Sequence, residues 1–371
     1  MQKIQFEVLN GMRGVAAVLI VVFHVTGISR GFDFNRLFVG HAYLAVDFFF
    51  LLSGFVIAYT YDGRWSRMSV VQFFERRLVR LHPLVVLAGL LGLIGYLLDP
   101  SAPTAVGWPL AMLIVTFLLG LLLVPSPALP GREDWLFSLN SPLWSLWLEY
   151  IGNALYALLL HRWTTRMLAV SALLANLALI WMASTTGKFV GGFGWQTLWV
   201  APFRLLPPFL MGLLVARVWR RLPACRIGFT WLALLLTGVI AAPVLPSIDG
   251  ISLNGLFDAL CIAVLFPLMV FAGIASPSNA ATNACCRFVG ALSFPLYATH
   301  MPFVYVYGAY VRSLGIDGPV LHVLDAAVVA ALLLLAWLFH RFWDEPIRMR
   351  LSAWTARANR AAHLADSQGD R

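Results

Sequence analysis

The feature that most constrains this chain is a succession of apolar stretches, each close to the length a helix needs to cross a bilayer. About 30 Å of hydrocarbon takes roughly 20 apolar residues at the helical rise. Eleven stretches qualify or nearly do: Val8–Ile28, Leu44–Tyr61, Pro83–Leu98, Trp108–Val124, Leu143–Leu160, Leu168–Ser184, Trp199–Val218, Phe229–Leu245, Leu253–Ala275, Phe288–Val311 and Val320–Phe342. Backbone polar groups in lipid must be satisfied within their own segment, so such stretches read as helices. The expectation is one all-α, polytopic transmembrane helix bundle of about 10–11 helices over residues 1–346. Residues 347–371 read as a short basic tail on the cytoplasmic membrane face. Composition agrees: hydrophobic residues are 60% of the 371 and charged residues 12%, about half the charged share of a soluble domain. So few charges cannot cover a globular surface of this size, and most of the exterior must face lipid.

The net charge of +9 would suggest nucleic acid in a soluble protein. Here the 24 Arg and 2 Lys fall mostly in short stretches between apolar segments, the distribution that the positive-inside rule produces in cytoplasmic loops. No basic run is interleaved with aromatics as a stacking platform requires, so no nucleic-acid partner is expected. Lys3 ahead of the first stretch imitates a signal peptide, but Arg13 interrupts the stretch and no small-residue cleavage site follows. Cys225, Cys261, Cys285 and Cys286 have neither metal-ligand nor disulfide-framework spacing and read as ordinary apolar packing; no metal is expected. Four arginine-bearing tracts (62–82, 161–166, 217–226 and the tail with Arg348, Arg350, Arg357 and Arg360) point to the cytoplasm. Three apolar stretches lie between Arg80 and His161, where parity demands an even number of crossings. One of them is therefore expected to be re-entrant or broken, leaving ten crossings with both ends cytoplasmic.

Ionisable residues inside spans are costly, and each is a functional candidate. Arg13 and His24 share the first span, eleven residues apart, which places them on one helix face about 16 Å apart in depth. The bland reading has Arg13 snorkelling to headgroups and His24 bonding a neighbouring helix. Asp47 opens the second span at the depth of His24 and could orient its imidazole, or simply cap the helix. Ser53 and Gly54 in the same span allow close approach of a ligand or a helix. Arg77 and Arg80, spaced i, i+3, suit phosphate groups because each guanidinium offers a planar fork of donors; topology alone also explains arginines here. Glu149, in Ser141-Pro-Leu-Trp-Ser-Leu-Trp-Leu-Glu149 with Trp144 and Ser145, must pair, protonate or line a wet cavity. Ser293, Tyr297 and His300 recur at i, i+4, i+7, either as interhelical hydrogen bonds or as the wall of a polar tunnel.

Together these segments resemble acyltransferase family 3, the integral membrane O-acyltransferases. The resemblance rests on Leu9-Asn-Gly-Met-Arg-Gly-Val-Ala-Ala17 with His24, Asp47-Phe-Phe-Phe-Leu-Leu-Ser-Gly-Phe55, Arg77-Leu-Val-Arg80, Pro142-Leu-Trp-Ser-Leu-Trp-Leu-Glu149, Leu292-Ser-Phe-Pro-Leu-Tyr-Ala-Thr-His300 and Glu345-Pro346, in the family's order. Asn10 stands where the family usually has Asp, and Tyr150 where it often has a second acid. The appended SGNH-type domain of some members is not expected in a chain of this length.

The resemblance implies a multi-pass protein of the bacterial cytoplasmic (inner) membrane. It implies transfer of an acyl group, acetyl first, from cytoplasmic acyl-CoA (acetyl-CoA as donor substrate, no permanently bound cofactor) to a sugar hydroxyl of a cell-surface glycan. A lipid-linked oligosaccharide of exopolysaccharide biosynthesis is the preferred acceptor. On that reading Arg13, Arg77, Arg80 and Ser53 bind the donor, and His24 is the general base or a transient acyl carrier oriented by Asp47 or Glu149. Trp144, Ser145, Ser293, Tyr297 and His300 line the tunnel or the acceptor side. A proton-coupled carrier of a small anionic solute is the competing class, since it too would place Arg, His, Asp and Glu in the membrane. Against it, the sequence carries no inverted repeat of the kind many carriers show.

Overall fold

The structure is a computed structural model that describes residues 6–369 apart from 35–36, 103–109, 133, 187–188 and 224, with side chains described to Arg357. Lys3, Trp108 at the start of the fourth stretch, and the side chain of Arg360 lie outside the described residues. All eleven apolar stretches form helices: α1 (Glu7–Ser29), α2 (Leu44–Tyr61), α3 (Val70–Leu98), α4 (Leu110–Leu121), α5 (Leu143–Leu158), α6 (Thr165–Thr186), α7 (Ala201–Val218), α8 (Phe229–Ile240), α9 (Leu253–Leu260) running through a π turn into α10 (Phe266–Ile274), α11 (Ala280–Ser313) and α12 (Gly318–Phe339). A second π turn joins α12 to α13 (Glu345–Gly369). Among the described residues the only strand pairing beyond isolated bridges is a two-residue hairpin, Ser247–Ile248 with Ile251–Ser252. Among the described residues, seven helical runs are long and apolar enough to cross a membrane. The chain is an all-α polytopic bundle.

The arginine-bearing tracts gather on one face, here called the basic face. Arg217 donates to Asp62 Oδ2 at 2.7 Å and to the Trp163 carbonyl at 2.7 Å, so three of the tracts meet at one side chain. Trp65 stacks on His161 with ring centroids 4.2 Å apart. Phe6 packs edge-on against Tyr59 and Trp219, bringing the start of α1 to the same face. Trp343 at the α12–α13 junction donates to the Pro83 carbonyl at 2.8 Å. Arginines elsewhere are satisfied locally: Arg30 pairs with Asp325 and Arg132 with Asp99, while Arg312 donates to the Ile28 carbonyl.

α4 has the form expected of a re-entrant segment. Its inner end, Leu121, packs on Gly89 halfway along α3. The chain then returns to set Arg132 against Asp99, just past the end of α3, at 2.8 Å. With twelve residues α4 extends only about 18 Å, and the chain after it leads back to the outer end of α3. The start of α1 and the α12–α13 junction both reach the basic face.

Two parallel helix pairs form the centre. α1 lies along α11, with Gly14 against the Val289 backbone and Gly290 against the Asn10 backbone. α2 lies along α7, with Gly54 against the Phe209 carbonyl and Gly212 against the Leu51 carbonyl. Small residues at such contacts let two backbones approach in the way membrane helices favour. A Cβ at Gly212 would collide with backbone rather than with a yielding side chain. Gly212→Leu is therefore expected to lower the melting temperature of the purified protein and its yield from membranes; unchanged values would mean that α2 and α7 can separate freely. Of the cysteines, Cys261 and Cys286 are buried as expected, whereas Cys225 and Cys285 are exposed and take no part in packing.

Candidate active site

A cavity of about 630 Å³ opens at the basic face between α1, α2, α3, α5 and α11, within the usual range of about 300–1,000 Å³ for a small-molecule site. Glu7, Arg80, Arg287 and Arg348 stand at its mouth, Phe49, Phe50, Ser53 and Leu146 along its wall, and Ser145 and Tyr297 at its inner end. Ser145 and Tyr297 share a hydrogen bond of 2.7 Å. The Tyr297 ring, with Phe49 edge-on at 5.5 Å, closes that end. His300 lies one helical turn further along α11, its ring centroid 6.1 Å from that of Tyr297.

His24 and His300 meet beyond this plug, His24 Nδ1 being 2.8 Å from His300 Nε2. The proton positions follow from the partners. His300 Nδ1 lies 3.0 Å from the Leu296 carbonyl and 2.9 Å from the Tyr297 carbonyl. Carbonyl oxygens only accept, so His300 Nδ1 carries a proton and, in the neutral ring, Nε2 carries the lone pair. His24 Nδ1–H must then donate to His300. This leaves His24 Nε2 as a free lone pair on a half-buried ring flanked by Phe23 and Phe32. A neutral imidazole with its basic nitrogen outward and its other nitrogen fixed is what general-base or nucleophilic work requires.

The two carboxylates expected to orient His24 are elsewhere. Asp47, fully buried, receives two hydrogen bonds from Arg204, at 2.9 and 2.6 Å. The physical reason lies in helix pairing: the Asp47 face of α2 packs on α7, while the His24 face of α1 packs on α11. Glu149 accepts from Ser53 at 3.0 Å and pairs closely with Arg77. It sits nearer the mouth, at the depth of Arg77, and it does line the cavity. The orienting group for His24 is His300, a residue the sequence placed in a tunnel wall.

The arginines expected to bind an anion separate into different roles. Arg13 borders the cavity and donates to Ser293 Oγ at 2.8 Å and to the Gly290 carbonyl at 2.9 Å. Both partners are neutral, so neither hydrogen bond neutralises its charge. Arg77 is buried against Glu149, yet its Nε has no hydrogen-bond partner among the described residues. Arg80 projects at the mouth with no ion pair among the described residues. Ser53, Ser145, Ser293 and Tyr297 line the cavity as expected. Trp144 does not: it is buried under Arg204, whose guanidinium carbon is 5.2 Å from the ring centroid.

Several buried polar groups escaped the sequence reading, Arg204 and Asp258 among them. Arg204 lies within the seventh apolar stretch, and Asp258 within the ninth. Asp258 accepts from Tyr43 OH at 2.8 Å, and His41 bonds Asn254 at 2.9 Å beside it. The cost of intramembrane ionisable residues, which singled out Arg13 and Glu149, applies equally to these two.

Comparison with known proteins places the chain in a family. A curated relative from Rhizobium radiobacter, "Protein 2 in picA locus", is 36% identical over 201 residues, which is 47% of this chain and 94% of that one. "Acyltransferase MdmB" from Streptomyces mycarofaciens is 27% identical over 319 residues, 79% of this chain and 77% of that one. No solved structure matches. Residues 6–341, which hold every helix that borders the imidazole pair, match the family described as "Acyltransferase domain". With that match covering nearly the whole bundle, the chain belongs to acyltransferase family 3 and is a multi-pass membrane acyltransferase.

Proposed function

We propose that the protein transfers an acyl group, acetyl in the simplest case, from cytoplasmic acyl-CoA to a sugar hydroxyl of a cell-surface or exopolysaccharide unit. The reading places the basic face in the cytoplasm of a bacterial inner-membrane protein. The observation that carries it is the fixed proton order from the Leu296 and Tyr297 carbonyls through His300 to His24, one helical turn beyond a cavity with a cationic mouth. A carrier of small anions has no need of a neutral imidazole with one nitrogen held and the other free.

The donor's phosphates are held by Arg13, Arg77 and Arg80, whose forked donors match phosphate oxygens. The pantetheine arm runs along the cavity past Ser53, displaces the Tyr297 ring and brings the thioester to His24. Depth is consistent: Arg13 and His24 are about three helical turns apart, comparable to the arm. In direct transfer, His24 Nε2 takes the hydroxyl proton as the sugar oxygen attacks the thioester carbonyl carbon, and the C–S bond breaks to release the CoA thiolate. In the stepwise variant, Nε2 itself attacks and the thiolate leaves; the hydroxyl oxygen then attacks the acyl carbon, the acyl–nitrogen bond breaks, and the hydroxyl proton passes to the released Nε2 and on to the thiolate. Either course uses the same lone pair. The arginine–carboxylate pair Arg77–Glu149 places one guanidinium and keeps its remaining donor free for the ligand.

Binding of acetyl-CoA to the purified protein tests the donor assignment. Arg77→Ala with Arg80→Ala is expected to weaken it by at least about tenfold, the worth of one charge-assisted hydrogen bond. Unaltered affinity would leave these arginines with topology alone. For the acceptor, loss of O-acetyl groups from the surface glycan of a deletion strain is the expected result, and an unchanged glycan would reject that class.

A further inference from the structure

Beside the cavity described above, a second space of about 710 Å³ lies between α3 and α13. Arg76, Val79 and Arg80 contribute to the α3 wall, and Arg348, Met349 and Ser352 to the α13 wall. Arg80 and Arg348 border both spaces, so groove and cavity are continuous across these two guanidiniums. The two parts differ in character. The inner cavity is walled largely by aromatic and aliphatic side chains, whereas the groove is flanked by charge. A ligand filling both has a thin, neutral arm and a multiply anionic head.

The positions of these arginines are built into the helix junction. His340, Asp344 and Arg348, at i, i+4 and i+8 across the π turn, all face the inner cavity. Asp344 is buried, with Arg348 Nε at 3.3 Å and His340 Nδ1 at 3.6 Å. One carboxylate thus holds Arg348 over the mouth. Glu75 and Glu345 also border the groove, and Glu345 is paired with Arg341 at 3.4 Å. Arg76, like Arg80, has no ion pair among the described residues. Arg80 and Arg348 repel one another across the mouth, and an anion lying between them relieves that repulsion.

We propose that the groove binds the 3′-phosphorylated adenosine diphosphate end of acyl-CoA, with Arg76 and Arg348 as phosphate-binding residues and α13 as a wall of the donor site. The assignment rests on acyl-CoA being the donor. Phosphate of a lipid headgroup has the same chemistry, but a headgroup has no arm for the cavity that Arg80 and Arg348 share with the groove.

The test is equilibrium binding of CoA and of pantetheine to the full chain in phosphatidylcholine nanodiscs, for the wild type and for Arg76→Gln with Arg348→Gln. The wild type is expected to prefer CoA, and the double variant to lose at least about tenfold of that preference. Unchanged pantetheine affinity shows that the variant is folded and its inner cavity intact. A double variant that keeps the full preference for CoA overturns the groove assignment while leaving the donor reading in place. A wild type that binds neither probe removes the donor reading, and this proposal with it. Repeating the measurement with phosphatidylglycerol separates the phosphate sources: a variant that loses only retained anionic lipid, at constant CoA preference, marks a headgroup site and overturns the proposal.

Discussion

Replacing His24 with Ala is expected to abolish glycan acylation while protein level and membrane insertion stay normal. A positioned general base contributes about 10²–10⁴ in rate, and a covalent acyl carrier contributes all of it. Folding should tolerate the change, since the ring is half-buried and its one side-chain hydrogen bond among the described residues is to His300. Acylation persisting at the wild-type rate would remove His24 from the chemistry. His300 supplies the companion result, because its proposed role is to fix the His24 tautomer rather than to touch substrate. His300→Leu should lower kcat by about 10–100-fold, the usual scale for a group that orients a catalytic residue, with little change in KM for the donor. His300→Gln can donate from its amide nitrogen to the α11 carbonyls and accept from His24 Nδ1 through its oxygen, and should recover part of the loss. Equal losses in both variants, or a change confined to KM, would make His300 a packing residue.

Much of the architecture was legible in the sequence because lipid leaves few alternatives. Eleven apolar stretches of bilayer length had to be helices, and the arginine tracts had to share a face; the parity of those tracts asked for one re-entrant stretch among three without saying which. The site was legible in part. Spacing along one helix put Arg13 and His24 on a common face, and periodicity put Ser293, Tyr297 and His300 on another. That these two faces meet is a matter of helix neighbours, which no periodicity specifies. Asp47 shows the limit: its depth matched that of His24, but depth does not say which way a helix is turned. Small residues decide that rotation. Gly54 and Gly212 bring α2 onto α7, and Gly14 and Gly290 bring α1 onto α11, so the carboxylate and the imidazole face different partners.

The pairing of Asp47 with Arg204 leads to the second large effect, on stability. Arg204 is 1% exposed and Asp47 0% exposed, and Arg204 also donates to the Tyr43 carbonyl at 2.8 Å and the Gly191 carbonyl at 3.3 Å. Removing one member of a buried ion pair leaves the other uncompensated, at a cost of about 3–5 kcal/mol. Arg204→Leu alone should therefore sharply reduce the folded protein recovered from membranes, and Asp47→Leu alone should do much the same. The double variant Asp47→Leu with Arg204→Leu removes both charges and should recover a large part of the stability, since a buried pair replaced by apolar side chains is often neutral. Recovery should stay incomplete, because two carbonyls lose their donor. Activity in that double variant separates the two roles for Asp47. A carboxylate that only ties α2 to α7 can be dispensed with, so the recovered protein should still acylate. A folded but inactive double variant would return Asp47 to the catalytic machinery, acting on His24 in a state the present arrangement of α1 and α2 does not show.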